Sequence, residues 1–212
     1  MLGKFITFEG PEGSGKSSVI KSIKDKCKNT LFTKEPGSSN DPVCEQLREF
    51  ILNPIRSIDK EAEIFLYMAD RCQHVNNVIL PALNEGKNVI SDRYIDSTYA
   101  YQGWGRRYGK EESIEYINYL NKISTKNLIP DLTLILDVSP KIGFQRLVTK
   151  EFGKKDRIEQ EDLKFFERVS FGFKNLVNTN KNRKIILINT DDKSLELVSD
   201  ISWLYIKELI GE

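Results

Sequence analysis

Residues 10–17, Gly10-Pro-Glu-Gly-Ser-Gly-Lys16-Ser17, carry the spacing G-x-x-x-x-G-K-[ST], which gathers the groups needed to hold a triphosphate. Glycines at 10, 13 and 15 let the chain turn its N–H groups inward around an anion, and a helix beginning behind them adds the positive end of its dipole. Lys16 can neutralise the β- and γ-phosphates, while the Ser17 hydroxyl is placed to bind a Mg2+ ion that bridges phosphate oxygens. The expected triphosphate site therefore comprises Gly10, Pro11, Glu12, Gly13, Ser14, Gly15, Lys16 and Ser17, with Ser18 behind them. The flanks agree with this reading. Residues 4–9 read as a short β run, and residues 16–26 carry Val19, Ile20 and Ile23 at helical spacing.

Asp92-Arg93-Tyr94 follows another apolar run, where an acid can hold Mg2+ through water while the arginine clamps a phosphate. Tyr67 and Arg71 are four residues apart on a helical stretch and share one face. A ring able to stack on a nucleobase thus sits beside a guanidinium able to bond its edge, although by itself the pair more often means core packing plus a surface cation. Ser97-Thr-Tyr-Ala-Tyr-Gln-Gly103, polar and aromatic, comes directly after Asp-Arg-Tyr and strengthens the base-pocket reading.

The elements that must position these residues are five short apolar runs, 5–8, 31–33, 88–91, 132–136 and 184–188. Helical stretches lie between and after them at 17–26, 42–52, 61–83, 111–121, 140–150, 162–178 and 195–209. This alternation predicts an α/β fold: a doubly wound five-stranded parallel sheet with helices on both faces, in one domain spanning 1–212. Ligands in such sheets bind beyond the carboxyl ends of the strands, which is where the loop at 10–17 and Asp92-Arg93 fall. The polar, glycine-bearing stretch at 150–157 suits a surface loop acting as a lid.

Composition narrows the partners. With 32 basic and 31 acidic residues there is no global field to recruit nucleic acid or a membrane surface, and no apolar run approaches the roughly 20 residues of a membrane span. Cys27, Cys44 and Cys72 are odd in number and lack C-x-x-C spacing, arguing against a disulfide framework or a zinc site and for a reducing cytoplasm. The only histidine, His74, is expected on the polar side of its helix, so histidine-based mechanisms rank low.

Taken together, Phe8-Glu-Gly-Pro-Glu-Gly-Ser-Gly-Lys-Ser17, Lys34-Glu-Pro-Gly37, Asp92-Arg-Tyr94, Ser97-Thr-Tyr-Ala-Tyr-Gln-Gly103, Pro130-Asp-Leu-Thr-Leu134 and Asp156-Arg-Ile-Glu159 resemble the motifs of bacterial thymidylate kinases, in family order. The resemblance implies a P-loop nucleotide-kinase fold with a lid, and transfer of the ATP γ-phosphoryl group to thymidine monophosphate with Mg2+. It implies catalytic roles for Lys16, Arg93 and Glu12, metal contacts at Ser17 and Asp92, and an ATP contact at Arg146. The acceptor pocket it implies contains Glu12, Arg48, Tyr67, Arg71, Arg93, Ser97, Thr98, Tyr101 and Gln102, with Tyr101 crowding a ribose 2′-hydroxyl. It also suggests a homodimer.

Two departures stand out. The family lid is commonly rich in arginine, whereas this one offers Lys150, Lys154, Lys155 and Arg157; Lys34 likewise stands where arginine is usual. Competing readings are a deoxynucleoside kinase, which would need a base for a sugar hydroxyl, and a guanine-nucleotide switch or nucleic-acid translocase. The switch lacks an N-K-x-D run after a strand, and the translocase lacks basic clustering.

Overall fold

A computed structural model describes residues 2–106, 111–148 and 155–211. Strands β1 (Phe5–Glu9), β2 (Thr30–Lys34), β3 (Asn88–Asp92), β4 (Leu132–Asp137) and β5 (Ile185–Asn189) form one parallel sheet in the order β2-β3-β1-β4-β5. β1 and β4 are buried along their whole length, as strands covered on both faces must be, while the edge strand β5 keeps exposed positions. Phe8 stands opposite Asp92 in the register, so the ends of β1 and β3 lie side by side. From β1 the chain goes to β2 and β3 on one side and later to β4 and β5 on the other, opening a crevice at the end of β1.

Helices α1 (Lys16–Ile23) and α9 (Leu195–Ile210) cover one face, packing Val19, Ile23, Val198 and Ile206 against Ile6, Phe8 and Leu134. On the other, α8 (Leu163–Thr179) packs Phe165, Val169 and Phe173 with Tyr99, Tyr101 and Ile135. Local chemistry sets the helix starts. Asp41 caps α2 (Pro42–Leu52), accepting from the N–H groups of Val43 at 2.9 Å and Cys44 at 3.1 Å ahead of a first-turn proline. Asp162 caps α8 through the Phe165 N–H at 2.7 Å. Helices α6 (Glu111–Ser124) and α7 (Pro140–Val148) precede and follow β4 along the chain.

The expected helix at 61–83 is not continuous. It divides into α3 (Lys60–His74), a π-helical turn (Val75–Ile79) and α4 (Leu80–Asn84). Pro81 has no N–H to give a helical ladder and its ring crowds the preceding turn, and the widened turn before it absorbs that mismatch. His74 is not on the surface as expected: it is fully buried, with Nδ1 2.9 Å from Glu35 Oε1 and Nε2 2.7 Å from Thr33 Oγ1. Its helix has polar groups on the inward face because a buried ionic network lies there.

A further helical segment was not expected. α5 (Ile95–Thr98) runs into a π-helical stretch, Tyr99–Gly105, that packs closely on α8. A Cβ on Gly172 would lie 2.8 Å from Trp104 Cδ1 and 3.0 Å from Ala100 Cα, and one on Gly105 would lie 2.8 Å from Phe165 Cε2. Gly172→Ala should therefore lower the melting temperature by about 3–10 °C, the equivalent of roughly 1–3 kcal/mol of overpacking. An unchanged melting curve would mean that this contact opens without cost.

Candidate active site

The crevice holds a cavity of about 470 Å³ lined from the phosphate loop at one end to Tyr67 and Arg71 on α3 at the other. At the loop end Gly10 adopts φ 135°, and a Cβ there would lie 2.2 Å from Leu136 O, so only glycine lets the loop turn against β4. Lys16 is buried, its Nζ donating to Gly10 O and Pro11 O at 2.9 Å each and to Ser14 Oγ at 3.3 Å. Gly10, Pro11 and Ser14 thus sit beneath the lysine, while Glu12, Gly13, Gly15, Ser17 and Ser18 line the cavity. Burial, with Arg93 close by, pushes the Lys16 ammonium down to about 8.

Arg93 occupies the junction. Its N–H donates to Phe8 O at 2.8 Å, which fixes the residue just past β3 in a left-handed conformation, φ 78°, that non-glycine residues seldom adopt. Strain of this kind persists only where the surroundings over-determine it. The guanidinium donates to Gly10 O at 3.0 Å, Ser97 Oγ at 3.1 Å and Tyr101 Oη at 3.1 Å, and forms an ion pair with Glu12. Burial opposes this charge, yet Glu12, Tyr101, Asp92 and Glu9 together outweigh it and hold the Arg93 pKa well above its ordinary value. Beneath it, Ser97 Oγ donates to Glu9 Oε2 at 2.6 Å and the Tyr94 N–H to Glu9 Oε1 at 2.7 Å. Burial, reinforced by Asp96, raises the Glu9 carboxyl to about 8.

At the far end Arg71 is almost wholly buried and spends four of its five N–H groups inside the protein. Nε donates to Glu35 Oε2 at 2.8 Å, Nη1 to Thr98 Oγ1 at 2.8 Å and Asn121 Oδ1 at 2.7 Å, and Nη2 to Tyr94 O at 2.9 Å. One Nη2 hydrogen remains for the cavity. Thr98 therefore lies behind Arg71 rather than on the cavity wall, whereas Ser97, Tyr101, Gln102 and Arg48 line it directly. Arg48 Nη1 donates to Pro36 O at 2.6 Å, and the Gly37 N–H donates to both Asp70 oxygens at 3.0 and 3.1 Å. Burial, together with Glu35, pushes the Asp70 carboxyl up to about 7.

On the opposite wall Arg146 donates through Nη1 to Gly13 O at 3.1 Å and through Nη2 to Thr190 O at 3.0 Å and Asp191 O at 3.2 Å. A family model for thymidylate kinase matches residues 8–201. A thymidylate kinase of Lactobacillus helveticus is 44% identical over 179 residues, 82% of each chain. That of Carboxydothermus hydrogenoformans is 44% identical over 189 residues, 87% of this chain and 89% of its own. The chain belongs to the thymidylate kinase family. The crystal structure of thymidylate kinase from Ehrlichia chaffeensis shares the fold with a TM-score of 0.74 at 27% identity, over 98% of this chain and 99% of that one.

Within this thymidylate kinase fold, one place suits a hard cation. Asp92 Oδ2 accepts from Ser17 Oγ at 2.8 Å, and Asp92 Oδ1 is buried with no hydrogen-bond partner. A carboxylate with an unused oxygen beside a hydroxyl fits an ion that takes few protein ligands and keeps its water. Among the described residues no group of three or more His, Cys, Asp or Glu side chains converges as a metal site.

Sequence reasoning missed three groups here. Glu35, quoted only within a motif, bonds both Arg71 and His74; Asp70 fixes the Gly37 backbone; and Glu63 accepts from Gln102, Arg106 and Arg157. The signal available was an unusual density of charge on the inward face of α3. Of the expected lid, Lys150 and Lys154 lie outside the described residues. Lys155 Nζ stands 5.6 Å from the Phe144 ring centroid, and Arg157 donates to Ile51 O at 2.9 Å and Glu63 Oε2 at 2.5 Å. Asp156 and Glu159 line the cavity but also cap the turn between them, Asp156 Oδ1 accepting from the Glu159 N–H at 2.9 Å.

The lowered pKa of Lys16 has a consequence for ATP binding that calorimetry can read. With its folded pKa lowered to about 8, Lys16 is partly neutral at pH 8, and arriving phosphate charge must raise that pKa again. ATP binding at pH 8 is therefore expected to take up protons, seen as an enthalpy that depends on buffer ionisation heat, and Lys16→Arg should remove most of the uptake. Equal enthalpies in all buffers for the unaltered protein would contradict the assignment.

Proposed function

We propose that this chain transfers the γ-phosphoryl group of ATP to thymidine monophosphate, giving thymidine diphosphate for DNA precursor supply. The observation that carries the reading is one continuous cavity lined by the phosphate loop, by Arg93, and by Tyr67, Arg71 and Gln102. The acceptor phosphate is already an anion and needs no general base. The protein's work is positioning and charge neutralisation.

In this reading the loop N–H groups and Lys16 hold the donor phosphates, and Arg146 lies on the donor side against Thr190 and Asp191. Arg93 and Arg48 orient the acceptor phosphate for in-line attack, with Arg93 also facing the transferring group. Glu12 holds Arg93 until substrates arrive, and its acid then faces the acceptor sugar. Tyr67 stacks on the base; Ser97 and Gln102 complete the pocket with Arg71, which Thr98 holds from behind; and Tyr101, packed against Arg93 and Glu12, leaves no room for a 2′-hydroxyl. Ser17 and Asp92 would hold Mg2+, whose charge would help to neutralise the donor phosphates.

Residues 1–212 act as one domain, with 150–157 as the lid that excludes water on closure. Arg157 anchors the lid's root through Glu63 and Ile51, which leaves cations earlier in the lid to meet the phosphoryl group. We place the enzyme in the cytoplasm as a homodimer; the exposed apolar side chains Val43 and Phe50 on α2 and Phe65 on α3 support a helix-mediated interface. Among the described residues no helix is long and apolar enough to cross a membrane.

Purified protein with ATP, Mg2+ and a panel of nucleosides and nucleoside monophosphates should form thymidine diphosphate preferentially, resolved by chromatography. Phosphorylation of thymidine but not of its monophosphate would replace this reading with a nucleoside kinase. Lys16→Ala and Arg93→Ala should each lower kcat by about 100-fold or more with unchanged melting cooperativity, the scale for removing a preorganised charge from a transition state. Near-normal turnover in either would remove that residue from the chemistry.

A further inference from the structure

Glu63 lies at the first turns of α3, yet its side chain is 1% exposed. Its two oxygens serve three partners. Oε1 accepts from Gln102 Nε2 at 2.8 Å and Arg106 Nε at 3.0 Å, and Oε2 accepts from Arg106 Nη2 at 2.9 Å and Arg157 Nη1 at 2.5 Å. The two guanidiniums hold the carboxylate in place and keep it charged. Although burial disfavours that charge, Arg106, Gln102 and Arg157 together outweigh it and the Glu63 pKa lies below its ordinary value.

A fixed carboxylate dictates which end of the Gln102 amide faces it. An N–H end makes a charge-assisted bond, whereas the carbonyl end would set two oxygens against each other with no proton between them. Nε2 is thus turned to Glu63, and Oε1, which accepts no hydrogen bond among the described residues, is left to the cavity that Gln102 lines. Next to it the remaining Nη2 hydrogen of Arg71 is a donor; Arg71 is tied to Thr98, four residues before Gln102 on the same helical segment. The pocket therefore presents a donor and an acceptor side by side.

That pattern matches the imide edge of a thymine-type base, a carbonyl beside an N–H. It opposes cytosine, which presents an amino group beside a bare ring nitrogen. An unconstrained glutamine could rotate its amide and accommodate either base. We propose that Glu63 is a positioning residue that locks the amide of Gln102 and so makes the pocket selective for imide-bearing pyrimidine monophosphates over cytosine-bearing ones. The proposal rests on the acceptor-pocket reading given above.

The test is the ratio of kcat/KM for thymidine monophosphate to that for deoxycytidine monophosphate in the unaltered protein, Glu63→Gln and Gln102→Leu. Glu63→Gln offers an amide that can face Gln102 either way, and it should lower the ratio by about 10-fold or more. Gln102→Leu should lower it comparably, with the double variant adding no further change. A merely structural defect would depress both substrates alike and leave the ratio where it was. If Gln102→Leu lowers the ratio and Glu63→Gln does not, the locking role is overturned; if neither does, the amide does not read the base and the proposal fails. An unaltered protein that shows no preference for thymidine monophosphate would instead overturn the substrate reading beneath it. Should melting curves show Glu63→Gln to be unfolded, Glu63→Asp keeps the charge for both arginines while withdrawing it from Gln102. A folded Glu63→Asp with an unchanged ratio likewise overturns the proposal.

Discussion

Parallel pairing of β1 with β3 is the constraint on which the site depends. Because Phe8 stands opposite Asp92, the phosphate loop leaving β1 and the Asp92-Arg93 pair leaving β3 emerge at the same height in the sheet. The backbone bond from Arg93 N–H to Phe8 O then turns Arg93 into a left-handed conformation that carries its guanidinium back over Gly10 and onto Glu12. A strand shifted by one residue would send that side chain to the opposite face. Positioning by the sheet is thus converted into a cation standing over the loop at the cavity wall.

The α3 end of the cavity is built differently, from buried ions that are each satisfied several times over. Arg71 is held by Glu35, Thr98, Asn121 and Tyr94; Glu35 is shared with His74; and Glu63 gathers Gln102, Arg106 and Arg157. Burial works against the charge on Glu35, but Arg71 and His74 reverse that and hold its pKa below the ordinary range. Networks of this kind contribute little net stability compared with an apolar core, but removing one member strands the others and is strongly destabilising. Their yield is rigidity: Arg71 and Gln102, which face the cavity, have their orientations fixed from behind, so this part of the pocket is preorganised before a ligand enters.

The alternation of apolar runs and helical stretches made the sheet and its crossovers legible, because strands buried on both faces need uninterrupted apolar character. The phosphate loop and Asp92-Arg93 were legible for a similar reason, since their chemistry is local and contiguous. What escaped is non-local or breaks a period. Tyr99–Gly105 is π-helical, and the logic of its two glycines appears only against other helices, Gly105 against Phe165 and Val169 on α8 and Gly103 against Ile114 and Ile117 on α6. His74 looked like a surface residue because a helix facing buried carboxylates carries polar residues on its inward side. Glu63 and Glu35 stand 39 and 36 residues from Gln102 and Arg71, the groups they orient, a separation over which no sequence period speaks.

We propose that both nucleotides occupy this cavity together, on either side of Arg93, and that the phosphoryl group passes directly between them. Initial rates over a matrix of ATP and thymidine monophosphate concentrations test this most directly. Intersecting double-reciprocal lines, the signature of a ternary complex, are the expected result. Parallel lines would mean that ADP leaves before the acceptor binds, through a phosphorylated enzyme for which this site provides no role, and would contradict the account.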